Sequence, residues 1–169
     1  NPIKTGIWTR QNKNISKKKL NLCNKKKYIL FGAHGGLKNF RKGGDLLIDS
    51  LKNIEYLKNK VEFIILGSNE NYTKYINKFN FHFRKFTSNS SNQILYHSAA
   101  EITVIPSRGE SLPQFAVETI LCKNPVVAFK IGGLKEIIRH KSNGYLAKPF
   151  DIKDFSKEIQ FCLKKIKSN

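Results

Sequence analysis

Apolar residues in this chain gather into short continuous runs separated by polar and glycine-rich segments. That is the pattern of strands buried on both faces of a parallel sheet rather than of half-exposed strands. The first run is 28–32 (YILFG), followed by a glycine-rich loop and by 45–57, where Leu46, Leu47, Ile48, Leu51, Ile54 and Leu57 fall mostly on one helical stripe. The alternation then continues: a strand at 61–67 (VEFIILG), a polar helical stretch at 72–79, a strand within 81–86 and a helix over 92–99. Beyond these come a strand at 102–105, a helix at 113–121, a strand at 126–129, a helical turn at 136–139, a strand at 144–147 and a closing helix over 150–166. Strand and helix in regular alternation predict a doubly wound, mainly parallel, six-stranded α/β sheet of Rossmann-like type. The more polar and basic stretch 1–26 reads as a linker with a short helix near 16–22, leaving 27–169 as the domain.

Ligands of such sheets sit outside the carboxyl ends of the strands, so chemistry is expected after Gly32, Gly67, Phe86, Ile105 and Phe129. The loop after Gly32 runs to Gly44 and holds His34, Arg41 and Lys42, two of them cations just before a helix whose N-terminus itself favours anions. It suits a diphosphate. It is neither the dinucleotide fingerprint G-x-G-x-x-G nor a phosphate loop ending in Gly-Lys-Ser/Thr.

The loop after Ile105 reads Pro106-Ser-Arg-Gly-Glu110-Ser-Leu-Pro-Gln-Phe-Ala-Val-Glu118. A helical path between Glu110 and Glu118 spans roughly 12 Å at about 1.5 Å per residue, the reach from hexose to ribose across a nucleotide-sugar diphosphate. Glu110 is placed to accept from sugar hydroxyls and Glu118 from ribose hydroxyls, with backbone amides near Leu112 to Phe115 facing the phosphates between them. The same residues also fit a helix capping box with Ser111 as cap and Gln114 as its partner.

Composition adjusts this picture at three points. The chain has 169 residues, the size of one domain, and lacks methionine, so it is expected to be a piece of a longer protein. Its formal net charge of +19 points to acidic partners: phosphates, nucleic acid or an anionic membrane face. The three cysteines, Cys23, Cys122 and Cys162, are widely spaced and read as reduced, partly buried thiols of a cytosolic protein. The four histidines show no metal-ligand spacing, and no metal is expected. No apolar run approaches the roughly 20 residues that cross a bilayer.

Several blocks in fixed order resemble the C-terminal, donor-binding domain of the GT-B fold retaining glycosyltransferases known as family 4 or group 1. They are Phe31-Gly32 with Arg41-Lys42-Gly43, the E-x7-E pair Glu110 and Glu118, Asn124-Pro125-Val126-Val127-Ala128 with Gly132-Gly133 and Glu136, and Asn143-Gly144-Tyr145-Leu146. The opening Asn1-Pro2-Ile3 is similar to the family's hinge from an N-terminal domain. The resemblance implies transfer of a hexosyl group from a UDP-sugar or GDP-sugar to an acceptor hydroxyl with retention, in bacterial polysaccharide, lipopolysaccharide or glycolipid assembly.

It assigns the diphosphate to Lys42 with Arg41 beside it, and to amides around Ser111, Leu112, Gln114 and Phe115. Glu110 takes the transferred sugar, Glu118 the ribose, and the base lies near Phe86 and Thr87. Lys42 and Glu110 are the implied catalytic pair. The implied partners are the nucleotide sugar, the enzyme's own N-terminal domain and an anionic inner membrane face bearing a lipid-linked acceptor, with no nucleic acid and no cofactor. The isolated domain is expected to bind donor but transfer little.

This chain departs from the family pattern at Ala33-His34, where many members carry an arginine, so that Arg41 or His34 must supply the cation. It also departs at Ser111-Leu112-Pro113-Gln114, where proline removes an amide donor, and at Lys123-Asn124. A basic nucleic-acid-binding module is the rival reading, drawn from the charge and from Phe81, Phe83 and Phe86 interleaved with His82, Arg84 and Lys85. A nicotinamide dehydrogenase fits less well, because Glu70 lies too far along for the usual ribose contact.

Overall fold

A computed structural model of the chain describes residues 5–166. The hinge-like Asn1-Pro2-Ile3 lies outside them. One sheet organises the molecule, built from β1 (Lys27–Gly32), β2 (Val61–Ser68), β3 (Tyr72–Ile76), β4 (Phe79–Lys85), β5 (Ile102–Ile105), β6 (Val126–Phe129) and β7 (Gly144–Ala147). Its strand order is β3-β4-β2-β1-β5-β6-β7, and every neighbouring pair is parallel except β3 with β4.

Alternation along the central strand divides the core between two faces. Ile29 and Phe31 join Phe63, Ile65, Val104 and Phe129 beneath the helices α2 (Gly44–Ser50) and α6 (Ile152–Lys165). Tyr28 and Leu30 point the other way, with Ile64, Leu66, Ala99 and Ala100, toward α1 (Lys13–Lys19) and α3 (Ser90–Ala99). The helix α4 (Gln114–Leu121) covers Ile105, Val126 and Ala128 on that second side, with the single turn α5 (Leu134–Ile137) beside it. Both faces of the sheet are therefore closed, which is why β1 reads as an unbroken apolar run.

The stretch expected to be helical at 72–79 is instead a strand and part of a hairpin, so the sheet has seven strands rather than six. The turn carries Asn77 at φ 45° and Lys78 at φ 70°, the left-handed pair that lets a two-residue turn follow strand twist. The strand β3 is exposed along most of its length, so it lacks the alternating apolar mark by which a half-buried strand is read. In β4 the alternation is plain: Phe79, Phe81 and Phe83 are buried while Asn80 and Lys85 are exposed. Phe81 and Phe83 therefore pack the core and are not available to stack on bases.

Three helical elements also shift, among them the single turn α5, which runs over Leu134–Ile137 rather than 136–139. The first runs over Lys13–Lys19 rather than 16–22, started by the Asn12 side chain, which accepts from Ile15 N at 3.1 Å. The helix expected over 45–57 is α-helical only to Ser50 and tightens into 3₁₀ turns over Leu51–Leu57, interrupted at Ile54, where φ is −121°. There the Asn53 carbonyl accepts from the Gln160 side chain of α6 at 3.2 Å, and Asn53 Nδ2 donates to Ser156 Oγ at 3.1 Å. Bonding to α6 takes the place of regular helix bonds.

Before β1, Trp8 is buried with Ile94 and Cys122, so this part of the leading segment packs on the domain. Lys17 is buried at the start of β5, where Glu101 accepts from Lys13 and Lys17 at 3.1 and 3.2 Å and from the backbone N–H of Tyr28. Cys122 and Cys162 are buried, and Cys23 is exposed. No helix among the described residues is long and apolar enough to cross a membrane.

Candidate active site

A cavity of about 350 Å³ opens at the carboxyl ends of β1, β2 and β5, lined by Gly32, Leu66 and Ile105 from the strands and by the loops and helix that follow them. Its floor requires a glycine. A Cβ on Gly32 would stand 2.2 Å from Phe115 Cζ, so the first turn of α4 can approach β1 only because that position has no side chain. The loop after β1 is held similarly. Gly43 has φ 72°, and a Cβ there would meet Pro106 O at 1.9 Å, bringing Lys42 against the loop after β5.

The result is direct contact between the first two predicted residues. Lys42 Nζ donates to Glu110 Oε1, which also accepts from Ser107 Oγ at 2.8 Å. The Glu110 side chain is 6% exposed and that of Lys42 22%, so the pair is partly screened from water. The backbone of Glu110 is fixed too, its carbonyl accepting from Gly133 N at 2.8 Å. Glu118 stands farther along α4 on the same cavity wall. Burial alone lifts its carboxyl from 4.5 to about 7.

Not every expected residue reaches the cavity. Phe86, His34, Leu112, Gln114 and Phe115 line it; Arg41, Thr87 and Ser111 do not. The Arg41 guanidinium turns to the Gly109 carbonyl at 3.2 Å, whereas His34 lies on the cavity wall. Thr87 is occupied in the turn before α3, where its hydroxyl accepts from Asn89 N at 3.2 Å and its carbonyl from Gln93 Nε2 at 2.9 Å.

The capping box does not form. Pro113 is the N-cap of α4 and makes no side-chain cap, so Ser111 stands too early in the chain to serve. The amide set is also smaller than expected, because Pro113 has no N–H and Gln114 N donates to Leu112 O at 2.8 Å.

Some contacts between these and other residues were not foreseen in the sequence. The ring of His34 stacks on Phe86 with centroids 4.8 Å apart, giving the cavity an aromatic wall from two loops. Arg108 ties the loop after β5 to the loop after β1, its guanidinium donating to Phe40 O at 2.7 Å. It binds both oxygens of Asp45 at 2.8 and 2.6 Å and lies 3.8 Å over the Phe40 ring. Arg108 and Asp45 are far apart in the chain and have no local spacing signal; Ser107, three residues before Glu110, was within reach of one.

Among the described residues no group of three or more His, Cys, Asp or Glu side chains is placed to hold a metal ion. Among the described residues the cavity offers the Lys42 ammonium, the carboxyls of Glu110 and Glu118 and a pair of stacked rings. Such a set suits a ligand that combines phosphate, hydroxyls and a flat ring.

Comparison with known proteins shows the family. The profile of the family described as glycosyl transferases group 1 matches residues 12–169. An uncharacterized glycosyltransferase of Methanocaldococcus jannaschii is 31% identical over 134 residues, 76% of this chain and 37% of the relative. The chain thus spans well under half of that relative's length. A solved C-terminal domain of a group 1 glycosyl transferase from Francisella tularensis superposes with a TM-score of 0.76 at 19% identity, covering 97% of this chain and 89% of that one. The Anabaena protein HepE, solved in complex with UDP and glucose, superposes with a TM-score of 0.77 at 21% identity, covering 98% and 46%. Fold and family profile agree: the chain belongs to the group 1 glycosyl transferases.

Proposed function

We propose that this chain is the C-terminal, donor-binding domain of a retaining glycosyltransferase that moves a hexosyl group from a nucleoside diphosphate sugar to an acceptor hydroxyl. The observation that carries the reading is one cavity lined by Lys42 in contact with Glu110, by Glu118 and by Phe86 stacked on His34. Glu110 accepts from hydroxyls of the transferred sugar, Glu118 from the ribose, and the base lies against Phe86. As the glycosidic bond breaks, negative charge gathers on the diphosphate, where the Lys42 ammonium and the amides of Leu112 and Phe115 stabilise it. The leaving phosphate takes the acceptor proton on the same face. HepE, solved with UDP-glucose, supports a nucleotide sugar as donor.

Calorimetry of the chain against uridine and guanosine diphosphates and their sugars tests this. Binding of one nucleoside diphosphate, weakened when the diphosphate is removed, is the expected result. No binding to any member of the panel would overturn the reading.

The acceptor is proposed to be lipid-linked, at the cytoplasmic face of a membrane, in polysaccharide, lipopolysaccharide or glycolipid assembly. Support comes from the opposite end of the sheet. There Arg10, Lys13, Lys17, Lys25, Lys26, Lys27 and Lys165 line a depression of about 930 Å³ in which Glu101 is the one acidic side chain among the described residues. Anionic vesicles at low salt should co-sediment the chain, and replacing the exposed Lys25 and Lys165 by Ala should weaken this. Equal recovery with neutral vesicles would remove the membrane from the proposal.

A further inference from the structure

A histidine that no role above uses stands directly behind Glu118. His97, on α3, is fully buried, its ring between those of Trp8 and Phe115, with centroids 5.9 and 4.9 Å away. Its two ring nitrogens meet different surroundings. Nδ1 lies 3.1 Å from Thr119 Oγ1, and that hydroxyl donates to Phe115 O at 2.7 Å, one turn back in α4. A threonine hydroxyl has a single proton. Once it is given to Phe115 O, Oγ1 can only accept from His97, so Nδ1 carries the ring proton and Nε2 is a bare acceptor. That Nε2 is buried without a hydrogen-bond partner, and Glu118 Oε2 is 3.9 Å from it.

Buried polar atoms in folded proteins are nearly always bonded, and an orphan beside a binding residue calls for a reason. Burial keeps His97 neutral, its pKa lowered to about 3, so the two groups are not an ion pair while Glu118 holds its proton. The other titratable groups around Glu118 are Cys122, one turn along α4 and itself facing Arg10, and His34, Lys42 and Glu110 around the cavity.

We infer that His97 and Thr119 form a hydrogen-bond relay that orients the Glu118 carboxyl in both of its charge states. With Glu118 protonated, Oε2–H donates to the bare Nε2, and Oε1 faces the cavity as an acceptor. A rotation of the terminal carboxyl torsion, which is broad in energy, closes the gap. With Glu118 ionised, two acceptors would confront each other, so the imidazole changes tautomer. Nε2–H then donates to the carboxylate, and the Thr119 hydroxyl turns from Phe115 O to donate to Nδ1. In net terms the Glu118 proton passes to Nε2, the Nδ1 proton leaves to water, and the ring keeps one proton throughout. His97 and Thr119 are positioning residues; neither touches the ligand. The benefit to donor binding rests on the reading of Glu118 as the ribose acceptor, but the relay itself does not.

Nitrogen NMR of the imidazole in the nucleotide-free chain, from about pH 5.5 to pH 8.5, tests the relay directly. His97 should stay neutral while its protonated nitrogen changes from Nδ1 to Nε2 as Glu118 titrates. Glu118→Gln and Thr119→Val should each abolish the change, and Thr119→Ser should retain it. One ring nitrogen protonated at every pH, or an unaltered switch in Glu118→Gln, would overturn the inference.

Uridine diphosphate titrations over the same range separate it from the donor-binding reading. With the relay intact, affinity should stay within about threefold across neutrality, and Thr119→Val should lose about tenfold on one side. A tautomer switch without nucleotide binding leaves the relay standing and removes the donor-binding reading. Nucleotide binding without the switch does the reverse.

Discussion

Lys42 Nζ donates directly to Glu110 Oε1, so the cation that follows β1 meets the carboxylate that follows β5. The pair thus fixes both groups on the cavity wall, with Ser107 as the second donor to the same oxygen. Lys42→Ala should lower turnover of the full-length enzyme by about 10²–10³, the usual loss when one donor to a developing anion is removed. In the chain itself, affinity for uridine diphosphate should fall while affinity for uridine stays unchanged. Parental turnover in the Ala variant would remove Lys42 from the mechanism.

Glu118 and His97 should leave opposite marks on stability against pH. Burial raises Glu118 from 4.5 to about 7, so between these values the folded chain holds a proton that the unfolded chain has released. Stability is therefore lost as pH rises through that window, by about 1.4 kcal/mol per pH unit at most. His97, lowered from 6.5 to about 3, acts with the other sign, and stability is lost as pH falls from 6.5. Between pH 4.5 and 6.5 the two slopes cancel. Urea denaturation of Glu118→Gln should show its stability relative to the parent climbing with pH up to about 7, and His97→Gln should show the reverse trend below 6.5. Differences independent of pH would contradict both assignments.

Gly32 tests the closeness of α4 to β1. An alanine there places its Cβ 2.2 Å from Phe115 Cζ, and overpacking of this kind costs about 1–3 kcal/mol. Phe115→Leu should recover part of that loss in the double variant. Simply additive losses in chemical denaturation would show that the two positions do not compete for the same space.

Glu101 joins Lys13, Lys17 and the start of β1. Because Lys17 is buried, Glu101→Gln leaves its charge without a counter-ion in a screened site, and a loss of about 3 kcal/mol is expected. Thermal denaturation at neutral pH measures it. A change of only a few tenths would mean that water reaches Lys17 freely.

The central strands and the cavity walls were legible because each has a local mark. The short runs YILFG and VEFIILG carry the mark of strands covered on both faces, and Gly32 and Gly43, at the two ends of the loop, are where the close approaches occur. Strand β3 has no such mark, since an exposed strand between polar residues shows no buried alternation and Tyr72, Tyr75 and Ile76 also suit a helix. Arg41 and Arg108 illustrate the same limit in the site. Both flank the cavity in sequence, but the Gly109 carbonyl and Asp45 claim them, and those partners are set by the meeting of two loops. His97 carries no local mark, since one histidine among the mixed polar and apolar residues of α3 has no spacing to set it apart.

The antiparallel hairpin at the sheet's edge has a consequence for how the chain behaves among its copies. Without β3, the aromatic strand bearing Phe79, Phe81 and Phe83 would present an open row of amides and carbonyls as a template for another chain. β3 takes up that row along the register from Tyr72 with Phe83 to Ile76 with Phe79. It replaces the row with a short border that carries Lys74 and ends in the tight turn at Asn77 and Lys78. Short, charged borders of this kind discourage edge-to-edge aggregation, so the hairpin serves as a guard for the sheet while it folds and while it is crowded.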